Sequence, residues 1–564
     1  MGTWLTQTKA RVSSTHLLSH PDTHLTILTC IQVKDTLFSC LSTVSIVNFP
    51  SFLRLYSEAT GFSLFTKMAS SSARTSKPLV PIFMSSKGDL PHCEKIAKDL
   101  ALFGIESVLR VVSAHKNPET VLRAVERYEA MPNPKIYVVC AGRTNALSGL
   151  IDGHVASPVI SCPPYSDTFS GSDVFSSLRS GSGIAPLFVM EPANCALACA
   201  KIFGLYDAKA ADAVRKAQKA NASMVHVQDC EIKSQSYVSR IQANLKHVFD
   251  KTDLQLTPQN GATSVEKYIG KVRDRYNDGK NVVLVTTDRL TGFDRPLCKI
   301  PYKGMVLNMV SKFWFDETKH IINNHVLSVP HPNVTIGVAV KPFPIEFVVR
   351  GYMTGSSGTS MWTHYQNGVR EYCGIRLPDG MVHNQKLWKN LITPTTKSDE
   401  HDELISPEQI VERGYMTQEE WDYCSAKALE LFDFAQKKAL ERGLILVDTK
   451  MEMGRAPNGE IILIDELFTP DSSRYWLAAG YELAVAAGKP PANIDKEFVR
   501  LWFKQHCDPY KDEILPEAPA DIVVELGRRY IMLYELITGK DFDFPDDNVD
   551  VNQAVQAALD KLKV

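Results

Sequence analysis

Long apolar runs, paired cysteines and blocks of like charge are all scarce in this 564-residue chain. No run of about 18 apolar residues occurs, which argues against a transmembrane helix. The twelve cysteines include no CxxC pair, so zinc spacing is absent, and their dispersal is typical of a reduced intracellular protein. A formal net charge of −2 gives no overall field for nucleic acid or an anionic membrane. Any phosphate-bearing ligand must therefore be held by a local site.

The length and composition predict a globular protein of two or three domains. Hydrophobic residues make up 44% of the chain and charged residues 22%, which is the usual balance of a soluble globular protein. We divide the chain into an N-terminal extension at 1–77, a first domain at 78–207, a linker at 208–236, a second domain at 237–542 and a tail at 543–564.

The first 67 residues differ in composition from the rest. They are rich in Ser and Thr, and their acidic residues are only Asp22, Asp35 and Glu58. That bias is typical of an organellar transit peptide. The alternative is an upstream extension, disordered in the protein, with Met68 as the working start. Both interpretations stay open, so we expect a cytoplasmic protein, or a plastid or mitochondrial one if the segment is a transit peptide.

From Pro78 onward, short apolar runs alternate with amphipathic segments. The predicted strands are 79–84, 108–112, 136–140, 158–162 and 186–190, and the predicted helices are 90–103, 117–131 and 193–206. Buried strands that alternate with helices form a parallel sheet covered on both faces. The pattern therefore predicts a three-layer α/β domain of the flavodoxin or Rossmann type.

Polar clusters follow the first three of these strands. They are Ser85–Asp89, Ser113–Lys116 and Ala141–Asn145. Ligands of parallel sheets bind beyond the carboxyl ends of the strands, and small or hydroxyl residues that lead into helices suit a phosphate. One such cluster is weak evidence, but three at one edge predict a binding site.

The second half has a different pattern. Strands are predicted at 282–286, 335–340, 346–349, 444–447 and 461–464, with helices at 407–412 and 419–442. Long polar loops and late helices favour an α+β fold with a mainly antiparallel sheet. Asn458-Gly459 is a hairpin signal, and such a hairpin would bring Glu452 and Asp465 together. Two carboxylates at one place suit Mg²⁺, although solvated acids at a hairpin are the commoner case.

The motifs of the first half resemble class II aminoimidazole ribonucleotide (AIR) carboxylase. The likeness lies in Met84–Glu94, Ser113–Lys116, Ala141–Gly149, Pro158–Pro164 and Asp173–Arg179. It implies a three-layer α/β domain, assembly as an octamer, and direct carboxylation of AIR by CO₂ to give CAIR. Ser85 and Gly88 depart from the family, which usually has Gly and Ser there, so lower activity in this half is an open alternative.

The chemistry suits these residue types. A histidine titrates near neutrality and can move the ring proton of the imidazole substrate, which makes His115 the expected catalytic residue. Lys116, Thr144 and Asn145 are expected to stabilise the new carboxylate. The resemblance implies that Ser86, Asp89 and Ser113 hold the ribose and its phosphate.

Motifs of the second half closely resemble SAICAR synthetase, the ATP-dependent ligase that joins CAIR to L-aspartate. They are Tyr268–Asp274, Thr287–Asp294, Ile300–Phe315, Glu346–Ser356, Thr393–Lys397, Asp448–Glu452 and Asp465–Arg474. The resemblance implies an ATP-grasp-like domain that uses ATP and Mg²⁺. We expect Phe313-Trp314-Phe315 to belong to the core rather than to the site.

Site residues of the second half follow from that resemblance. Gly270 and Lys271 are expected to form a cover over the nucleotide phosphates, although a helix start or plain surface is as probable from the motif alone. Lys450 is expected to contact ATP, and Glu452 with Asp465 to bind Mg²⁺. Residues expected to hold CAIR or aspartate are Asp294, Arg350, Ser356, Lys397, Asp402, Asp471 and Arg474.

Two rival interpretations stay open. The first domain is either an active carboxylase or an inactive module that only assembles the synthetase into oligomers. The second half is either this ligase or another phosphotransferase or kinase of ATP-grasp type. Neither alternative involves nucleic acid or a membrane.

Overall fold

The computed structural model describes residues 76–257, 264–293, 295–356, 358, 360–397 and 403–562, together with the backbone of three earlier strands. The chain divides into two compact units, residues 1–214 and 215–564. The early strands are β1 Arg11–Ser19, β2 His24–Val33 and β3 Thr36–Ser45, and they form an antiparallel sheet inside the predicted extension. Within the described segments, no helix is long and apolar enough to span a membrane.

Five parallel strands form the centre of the first unit. They are β4 Leu79–Met84, β5 Glu106–Val111, β6 Tyr137–Cys140, β7 Val159–Ser161 and β8 Leu187–Phe188. Their order is β5-β4-β6-β7-β8, which is the flavodoxin-like order of doubly wound sheets. All residues of β4 and β6 are buried, as expected for strands covered on both faces. The predicted fold class of this unit is confirmed.

Helices cover both faces of that sheet. They are α1 Leu90–Leu102, α2 Pro118–Glu129, α3 Ala146–Asp152, α4 Val174–Ser177 and α5 Pro192–Phe203. Cys93 and Cys195 place α1 and α5 in one core layer, and Val125 and Ile151 place α2 and α3 in the other. Asn117 caps α2, because its Oδ1 accepts a hydrogen bond from the Thr120 amide at 3.1 Å. The unit therefore has the predicted three layers.

Residues 208–235, expected to be a linker, form the continuous helix α6 Ala208–Gln235. Val227 and Cys230 are buried in the core of the second unit, and the Ser223 hydroxyl donates to the Glu441 carbonyl at 3.0 Å. The later part of α6 is thus a packed element of the second unit. Charged and small residues dominate this segment, and they were interpreted as a linker. The buried residues Val227 and Cys230 lie on one face of the helix, and that periodicity was overlooked.

The second unit is built on two antiparallel sheets. A five-stranded sheet has the order β14-β15-β11-β10-β9, and a seven-stranded sheet is centred on β22 and β17. The strands are β9 Glu266–Ile269, β10 Arg273–Asn277, β11 Asn281–Thr286, β12 Arg289–Gly292, β13 Arg295–Lys299, β14 Val326–His331, β15 Val334–Val338, β16 Lys341–Pro342, β17 Ile345–Tyr352, β18 Glu371–Tyr372, β19 Ile375–Arg376, β20 Lys386–Ile392, β21 Thr395–Thr396, β22 Leu444–Arg455, β23 Ile461–Ile464 and β24 Ser473–Leu477.

Ten helices within the described residues complete this unit, counting α6. The other nine are α7 Val238–Ala243, α8 Lys303–Thr318, α9 Met361–Gln366, α10 Pro407–Glu412, α11 Gln418–Glu441, α12 Tyr481–Ala486, α13 Glu497–His506, α14 Ala520–Thr538 and α15 Val551–Asp560. Trp314 and Phe315 are buried in the main core, as predicted. Val555 and Leu559 of α15 pack with Val285 and Ile336, so the unit extends past the boundary expected at residue 542.

Candidate active sites

The three polar clusters of the first unit lie at one edge of its sheet. Strand β4 pairs in parallel with both β5 and β6, so the loops that follow these strands are neighbours. We call this edge the rim and define it as Ser85–Asp89, Ser113–Lys116 and Ala141–Asn145. It is where ligands of doubly wound sheets bind.

The first rim loop is organised around the Asp89 carboxylate. Asp89 Oδ2 accepts hydrogen bonds from Ser85 Oγ at 2.9 Å, from the Ser86 amide at 3.1 Å and from Ser86 Oγ at 3.3 Å. These bonds start the short helix Lys87–Asp89. The hydroxyl of Ser85, where the family usually has glycine, is therefore engaged with the carboxylate expected to hold ribose.

The second rim loop presents His115 and Lys116 to solvent. The Lys116 amide donates to Ser113 Oγ at 3.2 Å, and the Asn117 amide donates to the Ser113 carbonyl at 3.0 Å. These bonds close a turn at the carboxyl end of β5. Both His115 and Lys116 are exposed, so a ligand bound at the rim can reach them.

The third rim loop is tied to the segment that carries α4. Arg143 has a φ of 69°, and its amide donates to Asp173 Oδ2 at 3.1 Å. Asn145 Nδ2 donates to the Arg179 carbonyl at 2.6 Å, and Asn145 Oδ1 accepts from Ser176 Oγ at 3.3 Å. The side-chain amide of Asn145 thus holds this loop together, and the second hydrogen of Nδ2 is still able to donate to a ligand. Its role as a donor to substrate stays a prediction.

Thr144 is also used within this loop. Its Oγ1 accepts from the Ala146 amide at 3.2 Å, and the hydroxyl hydrogen is still able to donate to a ligand. Asp173 and Ser176 were not among the predicted site residues. Their signal was present, because both lie in a motif that resembles the carboxylase family.

In the second unit, a cavity of about 160 Å³ lies where the two sheets meet. We call it the inner cavity. Its walls include the apolar side chains of Val282, Leu284 and Val338, and Lys397 and Glu452 are among its charged residues. A cleft with mostly apolar walls and a few charged groups is the usual form of a nucleotide-binding site.

Glu452 and Asp465 both line the inner cavity, at the end of the predicted hairpin. In the β22–β23 pairing, Glu452 stands opposite Ile464, and Gly459 in the turn has a φ of 87°. Both acids have cationic neighbours: Glu452 contacts Lys397 and Lys450, and Asp465 accepts from Arg273 at 3.1 Å. Over the described residues, no three His, Cys, Asp or Glu side chains form a ready metal cluster.

A row of charged residues runs along β22 from this cavity to a second one. Side chains alternate along a strand, so Asp448, Lys450 and Glu452 share one face. The second cavity has a volume of about 280 Å³, and both Asp448 and Lys450 line it. We call it the anion cavity. Lys450 therefore lies between the two cavities.

Carboxylates hold Lys450 in its charged form. Its Nζ donates to Glu346 Oε1 at 2.6 Å and lies 3.3 Å from Glu452 Oε1. Burial acts to lower the pKa of Lys450, but the charges of Glu346 and Glu452 outweigh it and raise the pKa above its ordinary value. An ammonium group at this point can neutralise a phosphate or a carboxylate.

Paired charges line the anion cavity. Asp448 Oδ2 lies 2.5 Å from Arg474 and 3.4 Å from Arg350. Asp471 is 5% exposed; it accepts from the Tyr530 hydroxyl at 2.8 Å. Lys303, with no exposed side-chain surface, forms an ion pair with Asp471 at 2.7 Å, without hydrogen-bond geometry. Asp448 thus joins predicted residues Arg350 and Arg474 into one network, and predicted residue Asp471 lines the same cavity as Arg474.

Several charged residues of this network were missed in the sequence. They are Lys303, Glu346, Asp448, Lys496, Glu497 and Arg500. Asp448 could have been found from its alternation with Lys450 and Glu452. Lys496 and Arg500 are four residues apart at the start of a helix, and that spacing was the available signal. Ser356 was predicted, and its hydroxyl donates to Glu497 Oε1 at 2.5 Å.

Gly270 and Lys271 form the turn between β9 and β10, so the helix-start interpretation is wrong. The Gly270 amide donates to the Arg273 carbonyl at 2.9 Å. A Cβ at Gly270 would lie 2.5 Å from that carbonyl oxygen, so the turn requires glycine. The predicted cover over phosphates stays a prediction. Asp294 and Asp402 lie outside the described residues.

Comparison with known proteins gives two family matches in successive parts of the chain. Residues 79–224 match the family model of AIR carboxylase, and residues 266–516 match that of SAICAR synthetase. A phosphoribosylaminoimidazole-succinocarboxamide synthase of Legionella pneumophila (strain Paris) is 57% identical over 290 residues, which are 51% of this chain and 93% of the relative. The chloroplastic enzyme of that name from Arabidopsis thaliana is 55% identical over 303 residues, which are 54% of this chain and 73% of the relative.

A solved structure is similar to the first unit. Treponema denticola PurE is 49% identical, with a TM-score of 0.28, and the match covers 28% of this chain and 99% of that one. The match to the ligase relatives shows the family of the second unit, and the carboxylase family model accounts for the first. The chain therefore belongs to the SAICAR synthetase family and is an enzyme of purine biosynthesis that carries an AIR carboxylase domain before its synthetase domain.

Proposed function

We propose that this protein catalyses two consecutive reactions at two separate sites. The first unit adds CO₂ to AIR and gives CAIR. The second unit joins CAIR to L-aspartate with ATP and gives SAICAR, ADP and phosphate. The observation that carries this proposal is the pair of distinct polar sites, one in each unit, each on a domain that matches one of the two families.

In the carboxylase reaction, the electron-rich ring carbon of AIR attacks CO₂. The ring then carries a proton that must leave, and the imidazole of His115, which is exposed at the rim, is proposed to take it. Lys116 and the Thr144 hydroxyl stabilise the new carboxylate. Ser86, Asp89 and Ser113 line the same edge and suit the ribose and its phosphate, as in the resembling family.

In the ligase reaction, the CAIR carboxylate attacks the γ-phosphate of ATP, and the aspartate amine then displaces phosphate from the acyl phosphate. The nucleotide fits the inner cavity because its apolar walls suit a base and its charged residues suit phosphates. Lys450 lies between the two cavities, where the phosphoryl group must cross. The Gly270-Lys271 turn is proposed to cover the nucleotide.

Mg²⁺ fits the acidic residues at this crossing. Glu452 and Asp465 offer the hard carboxylate oxygens that Mg²⁺ prefers, and each already faces a cationic side chain. Glu346 shares Lys450 with Glu452. Magnesium bound there would neutralise the ATP phosphates. The residues would hold and orient the nucleotide, while Lys397, which contacts Glu452, is proposed to bind the reacting groups.

The anion cavity suits the phosphate and carboxylates of CAIR and aspartate. Arg350 and Arg474 supply planar guanidinium groups, and Ser356 supplies a hydroxyl. Lys496 and Arg500 add positive charge. Burial lowers the pKa of Lys496, and the neighbouring Asp471 opposes that shift. Asp294 and Asp402 are assigned to this site by family resemblance alone.

Two assays of the full chain test the proposal. CAIR formation from AIR should depend on CO₂ and disappear in the His115→Asn variant, which would exclude a purely structural first unit. ADP release should depend strictly on L-aspartate. Release of ADP without aspartate would instead indicate another phosphotransferase.

We further propose a homo-octamer assembled through the carboxylase domain, as in the resembling family, and light scattering of the purified protein measures its mass. For location, the composition of residues 1–67 and the chloroplastic relatives favour the plastid over the cytoplasm. Mass spectrometry of the native N-terminus tests this, because an imported protein would have lost that segment.

A further inference from the structure

Glu497 occupies an unusual place in the anion cavity. It is the first residue of α13, and its Oε1 accepts a hydrogen bond from Ser356 Oγ at 2.5 Å. Its Oε2 lies 3.6 Å from Arg500, and its side chain is 16% exposed. A carboxylate thus contacts a hydroxyl and a guanidinium, which are groups that a phosphate monoester also requires.

The charges around Glu497 keep it ionised. Burial acts to raise its pKa, but the positive charges of Arg474 and Arg500 outweigh burial and lower the pKa below the ordinary value. Lys504, whose Nζ donates to the Ser356 carbonyl at 2.6 Å, adds to the same positive field. Glu497 therefore carries a negative charge inside the cavity at neutral pH.

The other carboxylates that line the cavity are fixed by stronger constraints. Asp448 and Asp471 are 7% and 5% exposed, and each has two cationic partners. Asp495 is 2% exposed and accepts from the amides of Tyr475 and Glu497, both at 2.9 Å. Glu497 has the longer side chain and the larger exposed fraction. Of the four, it is the one able to leave its cationic neighbours without unfolding.

We propose that the Glu497 carboxylate is an internal anion, which occupies the phosphate position of the synthetase site and moves aside when CAIR binds. This inference rests on the proposed ligase function. It implies discrimination between anions. CAIR offsets the displacement of Glu497 through contacts of its ring and carboxylate, whereas inorganic phosphate, a product of the same reaction, has no such contacts. Free phosphate is therefore held weakly and released.

The test is calorimetric titration of the full chain with inorganic phosphate. We expect the Glu497→Gln variant, which keeps the shape of the side chain but loses its charge, to bind phosphate at least tenfold more tightly than the wild type. The matched control is Glu482→Gln, which removes one exposed negative charge away from the cavity and should change nothing. Adding Lys496→Met to Glu497→Gln should remove the gain, which would place the new binding in this cavity.

Two results would overturn the inference. One is phosphate binding in Glu497→Gln that is no tighter than in the wild type. The other is a raised KM for L-aspartate with unchanged phosphate affinity, since Glu497 would then bind the substrate ammonium. The titration needs no turnover. Failure of the ligase proposal would show instead as ADP release without L-aspartate, whatever the phosphate affinities.

Discussion

The rim of the first unit and the cavities of the second unit are both proposed to bind phosphorylated anions, but the two sites are built differently. At the rim, Ser86, His115 and Lys116 are exposed, and turns of the backbone hold them in place. In the second unit, Lys303, Asp448 and other charged groups are almost fully buried and paired with one another. The rim depends on loop shape, whereas the cavities depend on charge balance.

This difference has consequences for substitution. An exposed side chain on a turn can be replaced with little effect on folding, because it gives up few contacts. A buried ion pair that loses one partner leaves a charge without compensation, which is costly. We therefore expect activity and stability to separate at the rim and to be coupled in the second unit.

The largest expected effect is the loss of carboxylation in His115→Asn. Removal of a general base should slow CO₂-dependent CAIR formation by about 10²–10⁴-fold. Stability should change by less than about 0.5 kcal/mol, because His115 is exposed. SAICAR formation from added CAIR serves as the control and should be unchanged. A large loss of thermal stability would contradict the account of the rim.

The next effect is on stability in Lys303→Met. This change leaves Asp471 buried without its main partner, so the synthetase unit should lose about 3–5 kcal/mol of unfolding free energy, measured by urea denaturation. Lys312→Met is the control, since Lys312 pairs with Asp316 at the surface with 40% of its side chain exposed. Lys312→Met should lose at most about 1 kcal/mol of unfolding free energy. Equal losses in the two variants would contradict the difference expected between a buried and an exposed ion pair.

His325 predicts a pH dependence of the second unit. Burial lowers its pKa to about 4, so between the unfolded value near 6.5 and that folded value only the unfolded chain binds a proton. The stability contributed by neutral His325 is therefore complete above about pH 6.5 and is lost as pH falls toward 4. Between these pH values the wild type should lose roughly 3 kcal/mol more than His325→Gln. If the unfolding free energies of the wild type and His325→Gln changed in parallel with pH, His325 would not titrate as proposed.

The smallest effect concerns Ser85→Gly at the rim. Removing the hydroxyl that binds Asp89 frees this carboxylate for ribose, and a hydrogen bond of about 1 kcal/mol corresponds to roughly a fivefold lower KM for AIR. The measurement is steady-state carboxylation at varied AIR. An unchanged or higher KM would mean that Asp89 does not bind ribose.

Much of the first unit was predictable because buried parallel strands have a strong local signature. Strand β4 was placed at its observed bounds, and the helix predicted from residue 117 begins one residue later, at Pro118. The contacts that Asn145 and Asp173 make with their partners were not predictable, because they join segments about 30 residues apart. Such contacts depend on how loops meet across the rim.

In the second unit the hairpin at Gly459 was predictable, and it brings Glu452 and Asp465 to the inner cavity. The cationic partners of these acids were harder to predict from the sequence. Glu346 meets Lys450 across 104 positions of sequence, and Lys303 meets Asp471 across a still longer span. No local pattern indicates which of many charged residues become buried pairs. Helix α6 was not predicted for a related reason. Its buried residues Val227 and Cys230 pack in a core whose other residues are distant in sequence.

The most direct test of two independent active sites is a mixture of two inactive variants. His115→Asn should lack carboxylation, and Glu452→Gln should lack ligation, so neither should convert AIR, CO₂, L-aspartate and ATP into SAICAR. Mixed in equal amounts they should restore SAICAR formation, because CAIR made by one protein is consumed by the other. A mixture that stays as inactive as the separate variants would contradict the account.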